Sequence, residues 1–165
     1  MQLSSKIQIA DGIFCIVDKE DIPMLSKFKW GIRREKSHNY AACTNPSDYT
    51  KKIKMHRLIM NVWDPKILID HINHDTLDNR KNNLRICDAK GNAMNCSSHK
   101  DSLSKYKGVC FCKQTGKWRA QLMSSGIKIN IGRFKTEKEA AIAYDNAAKI
   151  HHKEFACLNF KNENI

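Results

Sequence analysis

The sequence predicts an α+β protein: a β-rich N-terminal segment, a mixed central segment, and a small three-stranded antiparallel sheet closed by one helix. Three observations predict it. Short runs of alternating apolar and polar residues recur along the chain, bounded by Gly, Asn, Asp and Ser. Three such runs between residues 107 and 134 follow one another at hairpin spacing. Behind them, residues 137–151 carry alanines at helical spacing.

In chain order, Lys6-Ile7-Gln8-Ile9 and Ile13-Phe14-Cys15-Ile16-Val17 straddle Asp11-Gly12, the signature of a hairpin. A short helix is predicted over Glu20 to Lys27, with Asp18 or Asp21 near its start. Tyr40 to Thr44 reads as a strand and Asn45-Pro46-Ser47-Asp48 as a turn. Ile53 to Met60 fits strand and helix alike. The polar stretch Ser97-Ser98-His99-Lys100-Asp101-Ser102-Leu103-Ser104 reads as a linker. The division is therefore residues 1–50, 51–99 and 100–165. Beyond the linker, Lys107–Cys112, Lys117–Leu122 and Lys128–Phe134 form a meander with turns at Gln114-Thr115-Gly116 and Ser124-Ser125-Gly126. Thr136 caps the following helix and Glu139 completes a capping box. Ala140, Ala143, Tyr144, Ala147 and Ala148 make a small-residue face that lets this helix lie close on one side of the sheet. The other side is left open for basic side chains.

Composition narrows the partners. The 165 residues are 41% hydrophobic and 28% charged, enough to bury cores. No run approaches the length of a membrane span, and no apolar signal segment opens the chain. The expected location is the cytoplasm of a bacterial or phage-infected cell. Lys and Arg number 29 against 17 Asp and Glu, a net charge of +12, which points to a polyanion such as nucleic acid. The seven cysteines are odd in number and include no C-x-x-C pair, so they read as reduced thiols.

The chemistry concentrates between residues 56 and 95. Asp70-His71 follows the apolar run Ile67-Leu68-Ile69. A carboxylate can hold a hard cation through oxygen, and a neutral imidazole can take a proton from water. Asn83 precedes Leu84, where a side-chain amide can pin a loop by bonding backbone groups. Asp88 is placed to cap a short helix containing Asn92, whose amide oxygen is a second hard donor.

Asp70-His71, Asn83-Leu84-Arg85 and Asn92, led by His56-Arg57-Leu58, resemble the HNH nuclease motif, a ββα-metal module of homing and phage endonucleases. The resemblance implies Asp70 and Asn92 as metal ligands, His71 as general base and Asn83 as the residue that fixes the loop and orients His71. It implies Mg²⁺ or Mn²⁺, hydrolysis of DNA phosphodiesters to 5′-phosphate and 3′-hydroxyl ends, and activity that falls below about pH 6.5. His56 is read as a supporting residue, His74 as a loop histidine, and Arg85 as a phosphate contact.

Residues 104–160 resemble the AP2 DNA-binding domain. The resemblance is carried by Ser104-Lys105-Tyr106-Lys107-Gly108-Val109, Lys117-Trp118-Arg119-Ala120, Ile131-Gly132-Arg133-Phe134, Glu139 to Asp145 and Ala156 to Phe160. It implies a sheet that lies in the major groove of double-stranded DNA. The family's groove-facing positions fall on Lys107, Cys110, Cys112, Gln121, Met123, Lys128 and Asn130, with Arg133 added as a contact. Plant members have Arg where Cys110, Cys112 and Met123 stand, so the plant target is not carried over. The combined expectation is a metal-dependent DNA endonuclease steered by an AP2 reader, as monomer or homodimer. The alternative is a DNA-binding regulator with a silent HNH module.

Overall fold

The computed structural model describes residues 3–35, 38–95 and 103–160. The chain is α+β, with several small antiparallel sheets and few helices. It divides into two compact units after Asp88. Residues 97–102 of the expected linker, and Cys96, lie outside the described residues. Among the described residues, no helix is long and apolar enough to cross a membrane.

Unit 1 opens with strands β1 (Ser4–Ala10) and β2 (Ile13–Asp18), paired antiparallel around Gly12 at φ 67°. The helix expected over Glu20 to Lys27 is much shorter. A 3₁₀ turn spans Lys19–Asp21, and α1 is the single turn Ile22–Leu25. Pro23 suits a first helical turn, where its missing N–H goes unused. Ser26 Oγ then donates to Pro23 O, and Phe28 N reaches Leu25 O, turning the chain away.

Three strands follow in one sheet: β3 (Gly31–Glu35), β4 (His38–Asn45) and β5 (Asp48–Lys54). The ambiguous segment 53–60 resolves into both alternatives. Its first residues end β5, and α2 covers Met55–Ile59. Cys15, Val17, Leu25 and Met55 are fully buried at the centre of the core. Trp30 packs there too, its Nε1 donating to Leu25 O at 2.8 Å. Strands β6 (Leu68–His71) and β7 (Leu84–Cys87) make a separate antiparallel pair.

Unit 2 begins with α3 (Ala89–Met94). The meander follows as β8 (Val109–Cys112), β9 (Lys117–Ser124) and β10 (Ile127–Phe134), with β9 in the middle. The first strand starts two residues later than expected, because Gly108 at φ 73° lies outside strand geometry. Helix α4 (Glu137–His152) covers one side of the sheet. Ala140, Ala141, Tyr144 and Ala148 are buried beneath it, while Ala143 and Ala147 are half-buried. Trp118 packs at the margin of this core, 5.1 Å from Phe111.

The capping box forms: Glu139 N donates to Thr136 Oγ1 at 3.2 Å, and Thr136 N donates to Glu139 Oε2 at 3.3 Å. Thr136→Ala is expected to lower stability of unit 2 by about 1 kcal/mol in urea unfolding, the usual value of a lost N-cap. A midpoint unchanged within error would show the cap to be redundant.

Candidate functional site

The site in unit 1 is built on the β6–β7 pair and the loop between them. Register sets Asp70 opposite Arg85 and His71 opposite Leu84. Successive side chains on a strand point to opposite faces. Asp70 therefore turns toward Arg85, which donates to Asp70 Oδ2 from Nε at 3.0 Å and from a terminal nitrogen at 2.7 Å. Arg85, expected at a phosphate, thus has its guanidinium on the Asp70 carboxylate. His71 turns the other way. Its ring lies 5.1 Å from His56, edge-on at 89°, and 6.3 Å from Tyr40. His71 Nε2 is 3.4 Å from Asn79 Oδ1.

Asn83 fastens the loop at three points. Its Oδ1 accepts from Asn73 N at 3.0 Å. Its Nδ2 donates to Asn73 Oδ1 at 2.9 Å and to Asp78 O at 2.7 Å. Asp78 is buried and accepts from Asn73 Nδ2 at 2.8 Å and from Arg80 at 2.8 and 2.6 Å. The loop also leans on the N-terminal hairpin. Ile16 N donates to Leu77 O at 2.9 Å, Asn79 N to Ile16 O at 2.7 Å, and Lys81 N to Asp18 Oδ2 at 2.9 Å. The N-terminal segment thus buttresses the loop. His74 sits in it with positive φ, half-buried.

The structure brings Asp70, His71, Asn83 and Arg85 together in unit 1. Asn92 lies on α3, in unit 2, and is exposed. Next to it, Gly91 faces the Phe155 ring so closely that a Cβ would stand 2.9 Å from it. Among the described residues, no three His, Cys, Asp or Glu side chains form a metal-binding group. Asn79, Asn73 and Tyr40 were not foreseen as partners of the site. Asn73 and Asn79 lie in the same polar run, but no spacing rule marks them.

Burial lowers the His71 imidazole below its ordinary 6.5, against the opposing pull of Asn79, Asp70, Asp75 and Asp78. The ring is neutral at neutral pH, and the acid limit expected at about pH 6.5 moves lower. Burial, then the neighbouring His71, Lys54 and Arg57, push His56 down to about 3. Between pH 6.5 and 3 the unfolded chain binds a proton at this position that the native chain refuses. Its stability contribution is therefore complete above pH 6.5 and lost as pH falls through that window. Unit 1 is expected to be about 2.5 kcal/mol less stable at pH 4.5 than at pH 7.5 through His56. Urea unfolding followed by tryptophan fluorescence measures this, and His56→Gln should flatten the dependence. Equal slopes for both proteins would remove His56 from it.

In unit 2 the sheet has one face against α4 and one open. Ala120 and Leu122 are buried toward the helix, so Arg119, Gln121 and Met123 face outward. Pairing sets Cys110 against Arg119, Lys128 against Met123 and Asn130 against Gln121. A bulge between Asn130 and Gly132 adds one residue and brings Arg133 opposite Arg119. Gln121, Lys128, Asn130 and Arg133 therefore share the open face, although 130 and 133 have opposite parity. Lys107 lies just before β8. Its backbone N donates to Asn159 Oδ1 at 2.7 Å, and its Nζ donates to Met94 O. Arg119 belongs to the open face too. Its place between Trp118 and the buried Ala120 was the signal that could have found it.

The fold and the two sites define a protein that joins a β-hairpin module carrying Asp-His to a basic, open-faced sheet. The AP2 domain family model matches residues 104–150. Over 154 residues the chain is 30% identical to a protein of Acanthamoeba polyphaga mimivirus named "Uncharacterized HNH endonuclease L560", covering 90% of this chain and 75% of that one. It is 27% identical over 110 residues to Protein 3.8 of Escherichia phage T7, covering 62% of this chain and 91% of the phage protein. Over 57 residues it is 39% identical to the AP2-like ethylene-responsive transcription factor TOE2 of Arabidopsis thaliana, 34% of this chain and 12% of that factor. No solved structure matches the chain. The chain belongs to the HNH endonuclease family represented by the mimivirus protein, and carries an AP2 domain in its C-terminal part.

Proposed function

We propose that the chain is a metal-dependent DNA endonuclease of homing or phage type, placed on double-stranded DNA by its AP2 sheet. The observation that carries this reading is the joint presence of Asp70-His71 on a hairpin whose loop Asn83 holds at three points and an open sheet face bearing Gln121, Lys128, Asn130 and Arg133.

Asp70 and Asn92 would hold the cation, one by carboxylate and one by amide oxygen. Two such donors suit a hard ion that keeps several waters, such as Mg²⁺ or Mn²⁺. When bound, that ion supplies positive charge against a phosphate in hydrolysis. The Arg85 guanidinium steadies Asp70. Neutral His71 takes the proton of the attacking water on a ring nitrogen. His56 and Tyr40 pack the ring, and Asn79 faces its Nε2. Asn83 keeps the loop closed, so the ring holds one orientation. One general base serves one strand, so a monomer nicks.

Conversion of supercoiled plasmid to the open circle in Mg²⁺ or Mn²⁺, and its abolition by excess EDTA, is the expected result. Metal withdrawal should leave duplex binding intact, since the sheet works by side chains alone. A second reading, a DNA-binding regulator with a silent HNH module, draws on the burial of His71 and the pairing of Asp70 with Arg85. Duplex binding with no cleavage under either metal would establish that reading instead.

A further inference from the structure

The open face of the C-terminal sheet carries two side-chain amides in one registered pair. Gln121 on β9 stands directly opposite Asn130 on β10. Cross-strand neighbours of this kind have Cβ atoms about 5 Å apart. Elsewhere the amides are spent inside the protein. Asn73 and Asn83 fasten the loop of unit 1, and the Asn159 side chain bonds Asp145 and the backbone of Lys107. Among the described residues, the side chains of Gln121 and Asn130 have no such partner. Asn130 is exposed and Gln121 half-buried.

The surroundings of the pair are apolar on one side and cationic on the other. Two residues along β9, on the same face, Met123 is 54% exposed. In the other direction stands Arg119, with Arg133 directly opposite it beyond the bulge. Like charges set across from each other repel. Among the described residues, Arg119, Arg133 and Lys128 are not paired with any carboxylate. This cationic rim calls for a polyanion from outside.

From this arrangement we infer that the sheet selects A·T base pairs, with Gln121 and Asn130 each bonding an adenine of adjacent base pairs in the major groove and Met123 packing on a thymine methyl. Adenine shows the groove one acceptor, N7, and one donor, the N6 amino group. A side-chain amide carries one donor group and one acceptor, so it matches both at once. Guanine shows two acceptors, N7 and O6, and sets one of them against the amide oxygen. Two amides about 5 Å apart at Cβ converge on base pairs stacked about 3.4 Å apart. Two strand residues span about 6.8 Å, the rise of two base pairs, which carries Met123 to a neighbouring step. Its thioether offers guanine no donor, while the thymine methyl gives it an apolar contact. Arg133 and Lys128 supply phosphate contacts that hold the sheet without reading sequence. The inference rests on the proposal that this sheet docks on duplex DNA, and names the base pairs selected there.

The test selects bound duplexes from a random library, using the full chain in EDTA so that none is cut. Recovered sequences are expected to share two adjacent A·T pairs, with a third within two steps. Altered bases in the best duplex then probe single atoms. 7-Deazaadenine lacks N7, and one such base at either central adenine should weaken binding about fivefold. Deoxyuridine lacks the thymine methyl and should weaken binding of the parent about threefold. It should leave Met123→Ala unmoved. Gln121→Arg should change the preference at one step from A·T to G·C, since a guanidinium donates to both guanine acceptors. Recovered sites with G·C at the centre, a library that yields no shared sequence, or binding insensitive to 7-deazaadenine would each overturn A·T selection and leave docking on DNA standing. Equal sensitivity of the parent and Met123→Ala to deoxyuridine would overturn the role of Met123. A chain that retains no duplex at all overturns the docking, and the selection with it.

Discussion

His71→Ala is expected to slow plasmid nicking by about 1,000-fold, the middle of the range that a positioned general base contributes. The expectation follows from where the ring is held. His71 ends β6, and its ring packs against His56 and Tyr40 beside Asn79. Burial keeps it neutral and so able to accept a proton. Alanine removes both the acceptor and a buried ring, so a fold control is needed. His71→Gln keeps most of the volume and an amide that can face Asn79, yet it supplies no comparable base. Both variants should lose cleavage by similar factors, while His71→Gln keeps the parental urea midpoint and duplex affinity. Cleavage by His71→Gln within threefold of the parent would take His71 out of the reaction.

Gly108→Ala is expected to unfold unit 2. A Cβ built there would lie 2.1 and 2.2 Å from carbons of the Tyr144 ring and 2.6 Å from Gln121 O. Neither neighbour has room to retreat. Tyr144 is buried in α4, and the Gln121 backbone is tied in, its N donating to Gly108 O at 2.9 Å. The residue also has φ 73°, a conformation that costs an L-residue about 1 kcal/mol or more. Overpacking adds about 1–3 kcal/mol. A loss near 4 kcal/mol is a large share of what a domain of this size holds in reserve. Circular dichroism should report the melting of α4, and duplex binding should vanish with it. A variant with parental helix signal and melting temperature would show that the ring and strand can shift after all.

Much of unit 2 was legible because its signals are local. The turn glycines, the alternation of the strands and the Thr136–Glu139 box each lie within a few residues, and the meander with its helix follows from them. The bulge in β10 was not legible. Its effect on Arg133 depends on register with β9, which is a pairing property rather than a pattern within one strand. Unit 1 was harder. Strand β5, Asp48-Tyr49-Thr50-Lys51-Lys52-Ile53-Lys54, is mostly exposed and charged, so it lacks the apolar alternation of a half-buried strand. The helix at 20–27 was overextended because acidic and apolar residues there suit a helix locally, while the turn toward buried Trp30 is a tertiary demand. Asp70, His71 and Asn83 stood out as residue types at a spacing. The three-point fastening by Asn83 and the Asp70–Arg85 pair needed coordinates, since both depend on the loop's shape and on which face each side chain takes.

The bonds from Ile16 and Asp18 to the 77–81 loop bear on any attempt to move this chemistry elsewhere. A graft of residues 51–99 alone would carry Asp70 and His71 but leave the amide of Lys81 and the carbonyl of Leu77 facing water. The buried ring of His56 would lose Tyr40. Any portable version of this chemistry therefore needs the N-terminal segment from residue 3 along with the stretch through Asn92, and chimaeras that exchange only the second half of unit 1 should be idle.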